Sequence, residues 1–148
     1  MSILFKNILF LKLSKIFLTF LIIIVFTISE NLKAENITGS QTYDTDTNNT
    51  QYIFTEDDAS AVVTGNTTLE RSRKLFILDD SERTGNTLTI HFGSTVSTTT
   101  NSNTIFTDGA DLTIVNSGTI NSDSSKAINV SKSDGVSITN NSTGVIKS

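Results

Sequence analysis

The chain is 148 residues long, carries a formal net charge of −4 and contains no Cys, Pro or Trp. That length allows one domain of modest size, and the missing cysteines exclude disulfides, thiolate metal sites, lipid attachment at a cysteine and cysteine nucleophiles. Lys6, Lys12, Lys15 and Lys33 against Glu30 give the first 34 residues a net +3, leaving −7 on the rest, an acidic body that argues against nucleic-acid partners.

Residues 1–15 mix apolar side chains with three of those lysines. Ile16 to Ile28 is a 13-residue apolar run relieved only by Thr19 and Thr27, and Glu30 and Asn31 end it. Leu32-Lys33-Ala34 follows. A basic region, an apolar stretch and a small residue in that order predict a secretory signal peptide over 1–34, an N-terminal signal helix cleaved after Ala34. The competing reading is a membrane anchor, but a spanning helix needs about 20 apolar residues. Glu35 to Asn49 lacks apolar periodicity, and 35–51 reads as a polar leader or N-terminal cap. Within it, Asp44-Thr-Asp46-Thr-Asn48 imitates the start of a calcium loop. Asn49 and Thr55 stand where that loop wants Gly and Glu, so a solvated stretch is expected.

From Tyr52 onward apolar residues come in short clusters parted by Thr, Ser, Asn and Gly. Leu112-Thr-Ile-Val-Asn-Ser-Gly-Thr-Ile120 returns in altered form at Val136–Ile146, and a weaker copy stands at Leu88–Val96. Ile90, Ile114 and Ile138 are spaced 24 residues apart. A fixed period of that size predicts stacked repeats. Alternation within each cluster is the strand signal: Leu112 and Ile114 face inward, as do Leu88, Ile90 and Phe92, while Thr113 and Val115 face out. Residues 52–148 are therefore expected to form an all-β parallel solenoid of three strands per turn. Val63, Ile90, Ile114 and Ile138 should form one buried column, Leu69, Val96, Ile120 and Ile146 a second, and Ile53, Ile77, Ile105 and Ile128 a third. Asn116 and Asn140 fall at matching places; they are either a stacked amide ladder or ordinary turn residues.

Asn116-Ser-Gly-Thr-Ile120 and Asn140-Asn-Ser-Thr-Gly-Val-Ile146 resemble the repeats of autotransporter passenger domains. The resemblance is good over 88–148 and fainter over 53–87. It implies a right-handed, single-stranded parallel β-helix on a secreted bacterial surface protein. The membrane β-barrel that carries such passengers outward has no match here, and the last repeat looks incomplete. The resemblance thus implies the N-terminal part of something longer, or a truncated product, with its own translocator barrel as a missing partner.

Candidate chemistry is sparse. His91 is the one histidine and faces outward by alternation, with Thr89, Thr113 and Ser137 expected at matching positions. Glu70-Arg71-Ser-Arg73-Lys74 is the one basic run, followed by Asp79, Asp80 and Glu82. It is either a solvated turn with weak ion pairs or a contact for an anionic glycan. Asn66 and Asn129 begin Asn-x-Ser/Thr triplets, which matter only in a host that glycosylates them. No residue stands out as catalytic, cofactor-binding or metal-ligating, and no cofactor is expected. The chain is expected to be a non-enzymatic structural or adhesive segment. It would be exported through the inner membrane to the cell surface, outer membrane or extracellular space, where it would meet surface glycans or a host or neighbouring cell. The alternatives are a fragment of a polysaccharide-active β-helix enzyme and a membrane-anchored extracytoplasmic stalk.

Overall fold

The computed structural model describes residues 33–132 and 135–148. The expected signal segment lies outside the described residues apart from Lys33 and Ala34. Among the described residues, fifteen strands coil in five levels. The first holds β1 (Lys33–Ile37), β2 (Ser40–Tyr43) and β3 (Thr47–Asn48); the second β4 (Thr50–Phe54), β5 (Ser60–Val63) and β6 (Thr68–Arg71). The third holds β7 (Phe76–Leu78), β8 (Asn86–Ile90) and β9 (Thr95–Thr98); the fourth β10 (Ile105–Asp108), β11 (Leu112–Asn116) and β12 (Thr119–Ser122). The fifth holds β13 (Ile128–Ser131), β14 (Ser137–Asn140) and β15 (Val145–Lys147).

Each level contributes one strand to each of three five-stranded sheets: A (β1-β4-β7-β10-β13), B (β2-β5-β8-β11-β14) and C (β3-β6-β9-β12-β15). The paired strands run parallel, so the fold is an all-β parallel solenoid. The first level takes in Lys33 and Ala34 of the expected signal segment, and its remaining strand residues lie within the stretch expected as a polar leader or cap.

Sheet C has the expected register. Leu69 pairs with Val96, Val96 with Ile120, and Ile120 with Ile146. Leu69, Val96 and Ile120 are fully buried, whereas Ile146 and, on sheet B, Ile138, both expected in buried columns, are exposed on the fifth level. Sheet A departs from expectation in face. Ile105 and Ile128 pair as predicted, but Ile105 stands opposite Phe76, and Ile77 opposite Ile53 and Phe106. Ile53 and Ile77 therefore point outward and are half-buried, while Tyr52, Phe54, Phe76 and Leu78 fill the interior. In Tyr52-Ile-Phe54 and Phe76-Ile-Leu78 both faces are apolar. The strand buries the face with two large side chains instead of one, and a one-residue slip exchanges the faces. The Tyr52 ring stacks on Phe76 at 5.1 Å and meets the edge of Tyr43 at 4.6 Å.

Sheet B departs by two residues. Ile114 pairs with Ile138 as predicted, yet opposite Leu88 rather than Ile90. Ile90 pairs with Val63 on one side and Asn116 on the other. The cause is corner length. Residues 64–67, 91–94 and 141–144 are four-residue corners between sheets B and C, whereas the fourth level turns with Ser117 and Gly118 alone. With sheet C in register, the missing two residues displace the sheet B pairing. Phe92 is a further correction. It lies in a corner, where alternation ceases, and is 72% exposed rather than inward.

Candidate functional site

The lateral surface carries the side chains able to meet a partner, and the ladder sets them in rows. On sheet B the pairing aligns Ser40, Ser60, Thr87, Thr113 and Ser137. At one end of this row Ser60 Oγ donates to Ser40 Oγ at 2.9 Å. Thr89, expected beside Thr113, lies opposite Val62 and Val115 instead, by the same two-residue displacement.

The three corners differ in charge. Between sheets A and B lie Glu56, Asp57 and Asp58, then Asp79, Asp80 and Glu82, then Asp111. Asp57 Oδ1 accepts the Thr84 amide at 3.1 Å, and Asp80 pairs with Arg83 at 3.3 Å. Lys132 reaches Asp108 at 3.9 Å, with the lysine largely exposed. Such exposed pairs stabilise by about 0–1 kcal/mol.

The corner between B and C holds the aspartates of the calcium-like stretch. Asp46 Oδ1 accepts the Thr68 amide at 2.6 Å, a bond within the fold. Among the described residues no group of three or more His, Cys, Asp or Glu is arranged to hold a metal. His91 is exposed, as expected, and its Nδ1 lies 3.1 Å from Thr64 Oγ1. Phe92 beside it is an exposed aromatic ring that alternation had placed inside; the following Gly93, at φ 83, marks the corner. Asn66 lies in the next corner of this column, also in a left-handed conformation at φ 60. Asn129 is on sheet A and accepts Lys126 Nζ at 3.2 Å.

Asn116 and Asn140 close this corner as a ladder. Asn116 is fully buried in the interior place that Ile90 fills one level earlier. Its Oδ1 accepts the Gly118 amide at 3.2 Å, and its Nδ2 donates to Asn140 Oδ1 at 2.8 Å and to the Val145 carbonyl at 3.3 Å. A buried amide needs such partners. Gly118 is required by a close approach: a Cβ there would lie 2.4 Å from the Ser94 carbonyl oxygen and 2.5 Å from that of His91.

The corner between C and A is basic. The structure divides the run 70–74 among three surroundings. Glu70 points out from β6. Arg71 points in and is 4% exposed; its Nη1 donates to the Lys74 carbonyl at 2.7 Å. Arg73 is exposed. Lys74 Nζ sits 3.4 Å from the centre of the Phe106 ring, a cation–π contact. Asp79, Asp80 and Glu82 lie at the other end of β7, so the expected ion pairs with the run give way to the Arg83–Asp80 pair. Burial lowers the Arg71 pKa from its ordinary value, and the Arg73 charge lowers it further. The burial of Arg71 was not legible from the run, because a charged residue at an inward strand position contradicts the alternation rule.

No protein-family model, curated protein or solved structure matches this chain.

Proposed function

We propose that the chain is a displayed structural or adhesive segment of an autotransporter-like bacterial surface protein. It is a right-handed parallel β-helix without catalytic activity. The observation that carries this reading is the parallel solenoid with its aligned outward row Ser40–Ser60–Thr87–Thr113–Ser137. Repeated hydroxyls at a fixed spacing suit weak contacts with surface glycans or a neighbouring cell. Such contacts gain strength when many copies are displayed together. A catalytic site needs a base, a nucleophile or charge-stabilising groups in mutual reach, and His91 is engaged with the hydroxyl of Thr64, an unactivated alcohol.

Expression of the full gene in a Gram-negative host tests this. Antibody labelling of intact cells and release of the solenoid by surface proteolysis are expected, with mass spectrometry placing the mature N-terminus near Ala34. Retention inside the cell would overturn display. Depolymerisation of a polysaccharide by the purified chain, abolished by His91→Ala, would replace the structural reading with an enzymatic one.

A further inference from the structure

We propose that residues 71–74, at the corner between sheets C and A, form a binding site for a tetrahedral oxyanion, with Arg71 and Arg73 as its cationic groups. The proposal stands whether or not the chain is displayed at a surface.

The starting point is a charge with no ion-pair partner among the described residues. Arg71 is 4% exposed, and its Nε is buried without a hydrogen-bond partner. Its Nη1 has one neutral acceptor, the Lys74 carbonyl. Neither ion pair among the described residues involves it. A guanidinium withdrawn from water needs a counter-charge, or its burial is costly. An unsatisfied buried donor in a folded protein calls for a specific explanation, such as a bound ion.

Among the described residues, no carboxylate pairs with Arg71. Arg71 stands in register with Thr98, and Thr98 with Ser122. Both hydroxyls donate to the Ser102 carbonyl, at 2.8 and 3.0 Å. Glu70 is on the opposite face of its strand, since successive side chains alternate. What the corner adds is a second cation: Arg73 is exposed beside Arg71, close enough for its charge to act on that guanidinium. Among the described residues, no hydrogen bond uses the backbone N–H groups of Ser72, Arg73 or Lys74.

Two guanidinium groups and three amides without a hydrogen-bond partner among the described residues, all within residues 71–74, match a tetrahedral oxyanion. Such a ligand has several acceptor oxygens and suits the planar fork of arginine and free backbone N–H groups. Sulfate and phosphate share this chemistry. The source is either the free ion or an ester on a polysaccharide.

The test uses the full 148-residue chain, isotopically labelled, titrated with sodium sulfate against sodium chloride at matched ionic strength. Saturable shifts are expected at the Ser72, Arg73 and Lys74 amides and at the Arg71 Nε–H, with inorganic phosphate moving the same signals. Arg73→Gln, an exposed change that spares the fold, should weaken affinity about tenfold through loss of a charge-assisted contact. Arg71→Lys keeps charge but loses the fork and should weaken it likewise, while Lys147→Gln on sheet C leaves it unchanged. Sulfated dextran acting on the same amides, with unsulfated dextran inert, would assign a polymer ester; saturation by inorganic sulfate alone would assign the free ion. Shifts that follow chloride without saturating, or full affinity in Arg73→Gln, would overturn the site.

Discussion

Asn116 and Asn140, 24 residues apart in the chain, are joined through their side-chain amides at 2.8 Å, so the sequence period is written directly into a contact between levels. The upper member is buried and holds three hydrogen bonds. Asn116→Ala should therefore cost about 1–3 kcal/mol by leaving the Gly118 amide without its acceptor, and Asn116→Leu should not restore it. Urea unfolding of the two variants checks this; wild-type midpoints would refute the ladder's structural role.

Gly118→Ala should be worse tolerated than Ser142→Ala in the corner one level on. The added methyl would meet two backbone carbonyl oxygens at 2.4 and 2.5 Å, which cannot swing aside as a side chain would. Overpacking of this kind costs about 1–3 kcal/mol. Thermal melting monitored by circular dichroism gives the answer, with Ser142→Ala as the comparison because Ser142 is exposed.

The column through sheet C predicts a larger effect. Ile120 is fully buried between Val96 and Ile146. Ile120→Asp should destabilise by about 4 kcal/mol or more, since an unpaired buried charge is among the costliest substitutions. Phe92→Ser should change stability by less than about 0.5 kcal/mol, because the ring is exposed. A matched pair of melts distinguishes the two, and similar losses for both would contradict the burial pattern.

The first two levels carry a pH dependence. Burial, then the neighbouring Glu35 charge, raises the Tyr43 pKa well above the ordinary 10.0. Burial also raises that of Tyr52, whose hydroxyl meets Thr47 Oγ1 at 2.6 Å. A raised acid stays protonated in the fold after the unfolded chain has begun to ionise. Its stabilising contribution is therefore complete below pH 10 and falls as pH rises above it. Stability measured in urea should drop on the alkaline side, and Tyr43→Phe should flatten that drop. An equal alkaline loss in the variant would refute the assignment.

How far these features can be read from sequence depends on the residues. Leu69, Val96 and Ile120 stand apolar between polar neighbours, so their face and register were legible, whereas Ile146 keeps the register but lies between Val145 and Lys147 and is exposed. Ile53 and Ile77 have apolar residues on both sides, and periodicity alone cannot decide which face is buried. Ile90 and Ile114 mislead differently. Each lies six residues before its sheet C counterpart, Val96 and Ile120, but β11 runs two residues past Ile114 into a two-residue corner, whereas β8 ends at Ile90 before a four-residue one. Only the buried place of Asn116 reveals that exchange. At the basic corner the residues were visible in sequence, while the inward turn of Arg71 depends on where β6 begins.

The ladder's parallel pairing, each strand with its counterpart one level away, also bears on mechanics. Tension applied at the two ends would load one terminal turn of the coil before the next. Yielding should proceed as a series of steps, each freeing the chain of a single turn. For a turn of about 24 residues, the contour length released is roughly 80 Å at full extension. A coil built this way absorbs work gradually and can rewind turn by turn on the levels that remain, so stretching need not destroy the template for its own recovery.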